Sequence, residues 1–465
     1  MTTVRPITYT SNNLDDFLTP AEHNRTPWLL AFFCLLVATV PSYVLAEGPL
    51  KILGSPARVL ATALLLLVIL GFLLMRRGMA PTAFHPGVII ILTYGMLTTI
   101  AWGIGVSHLG SAEVEANKGR VLITVLANVG IALYATTRIK TERQRSFILG
   151  ALGIGLIFNC VVGLLQNTTA IDLHLLFKPP GFVDNQIDLG NGLGVSLEER
   201  HGAKRAFGTS GHAIEFSVLA AAAVPLTAHF ARYATTKTVR VLAAVATGVA
   251  LISLPAGVSR SGVVALAAAF LVYMWSFTLR QLCTALALFV LAVLGALAAV
   301  PNTMQALWQT ITNSAEDTSV LVRIERYAKV SQTFHDHPIF GIGVGATPTV
   351  EYGPLDNQWL QILVQGGLVG LVAFLLLAVG GIFGIAGGLR RATSPSERDQ
   401  AYAMGAMFSA ILASSFTFDL FGFQQATFVF FLLFGLLWSN FAVPFQRFSA
   451  SPVEPNSPSA GGALP

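Results

Sequence analysis

Residues 358–385 read QWLQILVQGGLVGLVAFLLLAVGGIFGI, twenty-eight positions without one Asp, Glu, Lys or Arg. A helix that crosses a bilayer needs roughly 20 mostly apolar residues, because its backbone groups must pair with one another where water is absent. This stretch meets that requirement with residues to spare. Eleven others resemble it: Trp28 to Ala46, Arg58 to Met75, Gly87 to Val106, Gly119 to Thr136, Phe147 to Gln166, His212 to Tyr233, Val239 to Leu254, Gly262 to Leu279, Leu282 to Val300, Asp399 to Phe418 and Gln424 to Val443. The expected fold class is therefore all-α, a polytopic membrane protein with about twelve transmembrane helices and a large outer loop region containing amphipathic helices.

Composition leads to the same place. The 465 residues are 54% hydrophobic and 11% charged, with 28 Lys+Arg against 23 Asp+Glu, whereas a soluble domain is about 25% charged. So few charges cannot cover a water-facing surface, which excludes a soluble enzyme. A disordered chain is excluded by the opposite composition. Cys34, Cys160 and Cys283 each lie within an apolar run, so they read as small buried side chains rather than disulfide or metal ligands.

Lys and Arg favour cytoplasmic loops, most strictly when the loops are short. Placing the N-terminus in the cytoplasm puts 16 of the 28 there, among them Arg76, Arg77, Arg138, Arg145, Arg232, Arg390 and Arg391. The expected organisation is a cytoplasmic segment 1–26, a twelve-helix membrane domain 27–448 with outer loops 168–211 and 301–357, and a disordered Ser/Pro/Gly-rich tail 449–465. Val44-Leu45-Ala46 resembles a small-residue cleavage site, but Met1 to Arg25 lacks the basic start of a signal peptide, so the first helix is read as uncleaved. Localisation in a cytoplasmic membrane, multi-pass, with the chemistry facing outward, follows from this orientation.

Seven basic residues break the charge bias in the two long outer loops, and loops of that length are usually functional. From Thr318 to Phe334 the apolar positions Val320, Leu321, Ile324, Tyr327, Ala328 and Phe334 recur at helical spacing, with Arg323, Arg326 and Lys329 at other angles. That predicts an amphipathic helix on the membrane surface, with Arg323 and Tyr327 sharing a face. The helix runs into His335-Asp336-His337-Pro338-Ile339-Phe340-Gly341-Ile342-Gly343. Pro338 holds His337 at a corner, and the glycines let backbone approach a ligand closely. A metal pair at His335 and His337 is the competing reading; an i,i+2 spacing does not put both rings on one helical face, and no further ligand cluster completes a site.

Two more arginines stand out. Arg205 precedes Ala206-Phe207-Gly208-Thr209-Ser210-Gly211-His212, a turn leading into a span, and Arg260 lies in Ser259-Arg260-Ser261-Gly262, a very short outer connection. An arginine near bilayer depth costs at least about 2.5–3.5 kcal/mol at a helix centre and is tolerated beside a polar cavity or partner. Snorkelling to headgroups is the bland alternative for Arg260. Two guanidiniums beside helix N-termini suit a phosphate or pyrophosphate.

Arg323, Tyr327, His337-Pro338, Gly341, Gly343, Asn357-Gln358-Trp359-Leu360 and Gly366-Gly367-Leu368-Val369-Gly370 together resemble the signature of the O-antigen ligase and polymerase superfamily. Arg205-Ala206-Phe207-Gly208-Thr209 and Ser259-Arg260-Ser261-Gly262 resemble its two arginine motifs. The chain departs from the pattern at Asp356, where members often carry His, and at Gln365, where they often carry Glu. The resemblance implies a periplasmic glycosyltransferase, an O-antigen ligase, that moves O-antigen from undecaprenyl pyrophosphate to a sugar hydroxyl of the lipid A-core, with no cofactor and no metal. Arg205 and Arg260 would stabilise the departing pyrophosphate, and His337 would act as general base in a single displacement with inversion. Arg323, Tyr327, Gly341, Gly343 and Asn357 would support the site. The implied partners are the lipid-linked donor, the lipid A-core acceptor and the bilayer, and no nucleic acid. A polymerase of the same superfamily and a lipid-linked glycan transporter are the competing readings. Trp102, Trp308 and Trp359 are read as interface-belt residues rather than glycan contacts.

Overall fold

Pro41 decides how the chain enters the bundle. Proline lacks an N–H and disfavours helical geometry in the residue before it. Val40 is accordingly extended, at φ −90° and ψ 127°, and helix α1 (Trp28–Thr39) stops there, short of the Ala46 end that the apolar run suggests. Val44–Ala46, the stretch resembling a cleavage site, is instead strand β1. The computed structural model describes residues 26–48, 53–74, 83–107, 112–169, 180–184, 199–312, 318–347, 355–439 and 443–444. Nearly all of the expected segment 1–26, the whole tail 449–465 and much of loop 168–211 lie outside the described residues.

The described chain continues with α2 (Pro56–Leu73), β2 (Ala83–Phe84), α3 (Pro86–Val106), α4 (Ala112–Arg138), α5 (Glu142–Thr168), β3 (Phe182–Asp184), β4 (Glu199–Arg200) and β5 (Ala203–Lys204). Then come α6 (Ala213–Tyr233), α7 (Lys237–Ser253), a 3-10 turn Leu254–Gly257, α8 (Arg260–Tyr273), α9 (Leu279–Ala299), α10 (Pro301–Thr312) and α11 (Thr318–Asp336). Helices α12 (Gln358–Arg391), α13 (Pro395–Ser414) and α14 (Gln424–Trp438) and strand β6 (Val443–Pro444) close the described chain. Three short antiparallel pairs, β1 with β3, β2 with β6 and β4 with β5, pin loops to the bundle.

The all-α membrane class holds; the count of twelve is not confirmed among the described residues. Each of the twelve apolar stretches contains a helix, and among the described residues eight helices are long and apolar enough to cross a membrane. Trp28–Thr39, Arg260–Ser276 and Gln424–Trp438 are apolar but shorter. Helix α13 carries Glu397, Arg398 and Asp399 near its start, which lowers its apolarity. Cys34 and Cys160 are buried as expected, but Cys283 is exposed, because α9 presents an apolar outer face that includes Leu286, Leu288, Val290 and Leu291.

Helix α14 is the hub, buried along its whole length from Gln425 to Trp438. Its Phe430 stacks on Phe408 of α13 at 4.6 Å, and Phe431 meets Tyr94 of α3 at 5.2 Å. A hub helix that meets protein on every side can afford no polar face, which is why its sequence is apolar all round. Around it the helix ends gather in two sets. One end of the bundle collects the C-termini of α1, α3, α5, α7 and α13 with the N-termini of α2, α4, α6, α8, α12 and α14, joined by the contacts described below. Arg138, Arg145, Arg232, Arg390 and Arg391 belong to the other end.

Candidate functional site

The loop before α6 is shaped by buried side chains of α5. Gln166 Oε1 accepts from the N–H groups of Phe207 and Gly208 at 3.2 and 2.8 Å, and Asn159 Oδ1 accepts from Thr209 N at 2.7 Å. Gly211 N donates to Glu215 Oε2 at 2.8 Å, and Ala206 N donates to Ala256 O at 2.9 Å. Gly208 is at φ +59°, and a Cβ there would lie 2.0 Å from Asn159 Oδ1, so no other residue fits. Nearly every backbone donor of the turn is thus held by the protein, and a buried loop with its donors satisfied is rigid. Gln425 of α14 locks it from the other side, donating to Thr209 O at 2.9 Å and accepting from Ser210 Oγ at 2.8 Å.

Arg205 enters from this turn. It is buried, 4% exposed, and its Nε donates to Gly257 O at 3.2 Å. Gly257 closes against α6, where a Cβ would meet Ser217 Oγ at 2.1 Å. The next residue, Val258, is held at φ +43° and ψ 55°. A β-branched residue in the left-handed region is a genuine outlier, and such strain persists only where surrounding packing imposes it. Val258 is fully buried with Ala203 and Ala306. Ser259 is then extended, and Arg260 opens α8, its Nε donating to Thr310 O of α10 at 2.6 Å. The two arginines therefore reach the two ends of one short loop, 257–260, backed by α10. Sequence reading did not find α10, although Met304, Leu307, Trp308 and Ile311 recur at helical spacing, because Pro301 to Asn357 reads as one long outer loop.

The adjoining wall is made by the α13–α14 connection. Thr417 Oγ1 donates to Ser261 Oγ at 2.8 Å, and Gln358 N donates to Ser415 O at 2.9 Å. Asn357 caps α12, its Oδ1 accepting from Trp359 N and Leu360 N at 2.9 and 3.4 Å. Trp359 is part of this joint, stacked on Phe416 at 4.8 Å with its Nε1 donating to Ser415 Oγ at 3.0 Å, rather than a lipid-interface residue. Trp308 does project outward. Asp356, at φ +31°, faces a carboxylate that sequence reading missed. Asp419 has a buried Oδ1 without a partner; burial, and then the charge of Asp356, push its carboxyl up to about 6, opposed by the N–H groups of Gly422 and Phe421.

The third part is a strap, residues 338–346. His337 follows the C-terminus of α11, its N–H bonded to Thr333 O at 2.9 Å and its side chain exposed. The strap then splices into α12. Gly367 is non-helical, at φ 55° and ψ −144°, which frees backbone groups on both sides of the break. Ile342 N donates to Val364 O at 2.9 Å and Gly343 N to Gln365 O at 3.0 Å, while Leu368 N and Val369 N donate to Pro338 O and Ile339 O at 2.9 and 3.0 Å. Those are the acceptors and donors that an unbroken helix would pair internally. Gly341 and Gly343 accordingly admit protein backbone, not ligand: a Cβ on Gly341 would lie 2.3 Å from Val364 O, and one on Gly343 would lie 2.0 Å from Gly105 Cα.

Of the residues singled out from sequence, the structure gathers Arg205, Arg260 and Asn357 through shared contacts at one end of the bundle. His337, Gly341 and Gly343 reach that end through the first turns of α12, without a direct contact between the imidazole and either guanidinium. Tyr327 is exposed on α11. The side chains of Arg323 and Arg326 lie outside the described residues. His335 and His337 acquire no third metal-binding side chain among the described residues. Gln166, Asn159, Glu215 and Gln425 were legible only as polar residues within or beside apolar runs, a signal too weak to assign a role.

A polytopic helical membrane protein with one buried arginine, one half-buried arginine and a histidine strap at one end is a class defined by fold and site together. Residues 242–375, under a third of the chain, match the family model described as O-antigen ligase, so this segment is similar to that family. The matched segment takes in Arg260, His337 and Asn357 and leaves Arg205 outside. No curated protein matches the chain.

Proposed function

We propose that the protein transfers O-antigen from undecaprenyl pyrophosphate to a sugar hydroxyl of the lipid A-core at the periplasmic face of the inner membrane. The observation that carries this reading is the convergence of Arg205 and Arg260 on the strained loop 257–260. A pair of fixed guanidiniums supplies charge-assisted bonds to the diphosphate that leaves as the glycosyl bond breaks, and such preorganised donors are worth more as charge develops. His337 takes the proton of the acceptor hydroxyl. In a single displacement, base and leaving group act on opposite faces of the anomeric carbon, so the imidazole need not touch the arginines. The exposed ring leaves room for an acceptor.

The test is transfer by purified protein given carrier-linked glycan and lipid A-core. The expected result is a core lipid of higher mass, absent with His337→Ala and reduced about 10²-fold or more with Arg205→Ala or Arg260→Ala at low donor concentration. Wild-type turnover by His337→Ala would remove the base assignment. A glycan that lengthens on its carrier while the core lipid keeps its mass would select a polymerase.

A further inference from the structure

One aromatic ring at the site end of the bundle stands outside the packing. In the connection between α13 and α14, Phe418 is fully buried and Phe421 and Phe423 are half-buried, whereas Phe416 is 57% exposed. Its ring is nonetheless fixed. Trp359 of α12 stacks on it with centroids 4.8 Å apart and planes 16° from parallel. Trp359 is held in turn by Phe374, edge-on at 4.9 Å, and by its Nε1, which donates to Ser415 Oγ at 3.0 Å. The backbone beneath is a tight turn, with Thr417 N donating to Ser414 O at 2.7 Å and Phe416 N to Ala413 O at 3.4 Å. The indole covers one face of Phe416, so the exposed area belongs to its other face and its edge. A plate oriented in advance loses little conformational freedom on binding.

The surroundings say what the plate suits. Thr417, next in the chain, donates from Oγ1 to Ser261 Oγ at 2.8 Å, and Ser261 follows Arg260. Consecutive Cα atoms are about 3.8 Å apart, so one hydroxyl contact and a single residue step on either side of it join the plate to Arg260. On the α12 side, Gln358 N donates to Ser415 O at 2.9 Å, which draws the half-buried Asp356 and Asn357 to the same connection. Asn357 spends Oδ1, not its amide N–H groups, on the α12 cap. A ring that only meets lipid needs neither an orienting stack nor a polar rim. An apolar plate edged by a hydroxyl, an amide and a carboxylate matches a pyranose, whose axial C–H bonds lie against the negative face of an aromatic ring while its hydroxyls meet the rim.

The geometry points to Phe416, backed by Trp359, as the platform for the sugar bonded to the diphosphate of the donor. The short connection to Arg260 selects that sugar over the acceptor. Arg205 and Arg260 meet the diphosphate that every such donor shares, whereas the ring reads the first sugar. The inference rests on the proposed function for the identity of the lipid and deepens it by assigning a sugar subsite.

Binding without acceptor separates ring recognition from transfer. The probes are undecaprenyl pyrophosphate carrying a single glucose and bare undecaprenyl pyrophosphate, titrated against the full chain in native mass spectrometry. Wild type is expected to favour the glycosylated probe. Phe416→Leu, which keeps an apolar side chain, is expected to lower that preference roughly 3- to 10-fold while binding the bare probe as wild type does. Phe416→Tyr, which keeps the ring, is expected to restore most of it. In the transfer assay Phe416→Leu should raise donor KM and leave acceptor KM unchanged. Thermal unfolding checks that both variants fold, and a largely exposed side chain is one whose replacement disturbs packing little. No preference in wild type, an unchanged preference in Phe416→Leu, an equal loss for both probes, or a rise confined to acceptor KM would each overturn the platform. A preference that Phe416→Leu abolishes, without any transfer by wild type, would overturn the proposed reaction and leave the platform standing.

Discussion

Asp419 holds a carboxylate where its environment disfavours charge. Its carboxyl titrates at about 6 against an ordinary 3.8, chiefly through burial and secondly through Asp356. Because the folded-state value is the higher one, the folded protein binds more protons than the unfolded chain between about pH 4 and pH 6. Stability from this group therefore falls as pH rises through that window and stays low above it. The difference corresponds to about 2–3 kcal/mol. Asp419→Asn keeps an acceptor for one of the two N–H groups and removes the charge. It is expected to unfold at a higher temperature than wild type at pH 7.5, with the gap closing by pH 4; a constant gap across that range would show that the carboxyl is not the cause. Nothing in Thr417-Phe418-Asp419-Leu420 signals this from sequence, because the shift comes from burial by packed neighbours and from a residue sixty-three positions away.

At the level of elements, what could be read from sequence was what depends on local period. The amphipathic pattern from Thr318 to Phe334 predicts α11, observed at Thr318–Asp336. The signals that failed were those decided by a distant partner. Gly366-Gly367 stands out in the sequence only as part of a family-like motif, yet Gly367 breaks α12 so that the strap can take over its hydrogen bonds. The glycines after His337 read as room for a ligand, and the structure fills that room with Val364 and Gly105. Arg205 and Arg260 could be chosen by chemistry alone, but only folding shows that they share a loop. The strap makes a prediction of its own. A Cβ at Gly367 would lie 2.7 Å from Gly341 N and Ile339 O, at a φ of +55°. Gly367→Ala is expected to cost about 1–3 kcal/mol from backbone strain alone and to dislodge residues 338–343. Hydrogen exchange should then rise at Ile342, Gly343, Leu368 and Val369, and transfer should fall with it; unchanged exchange at those four amides would show that the strap does not depend on the break.

For the molecule as a whole, the division into two ends separates chemistry from anchoring. At the end opposite the site, Asp399 of α13 accepts from Arg232 Nη1 and from Tyr273 OH at 3.1 Å, with His229 Nδ1 at 2.7 Å. Arg232 also donates to Ser276 Oγ and Gln281 Oε1 and lies over the Phe277 ring at 4.6 Å. One carboxylate thus ties α6, α8, α9 and α13, three of which carry site elements at their far ends. Removing one member of such a buried set strands the others, at roughly 3–5 kcal/mol. Asp399→Ala is expected to lower the unfolding temperature by several degrees, and replacing His229 and Arg232 by Leu in the same chain should recover part of the loss, since apolar packing often substitutes for a buried ionic set. Because the network lies a membrane-spanning helix length from Arg205 and Arg260, protein that remains folded should keep its donor KM. A large rise in donor KM at a temperature well below unfolding would instead mean that the two ends are coupled, with the tilt of α6 and α8 setting the position of both arginines.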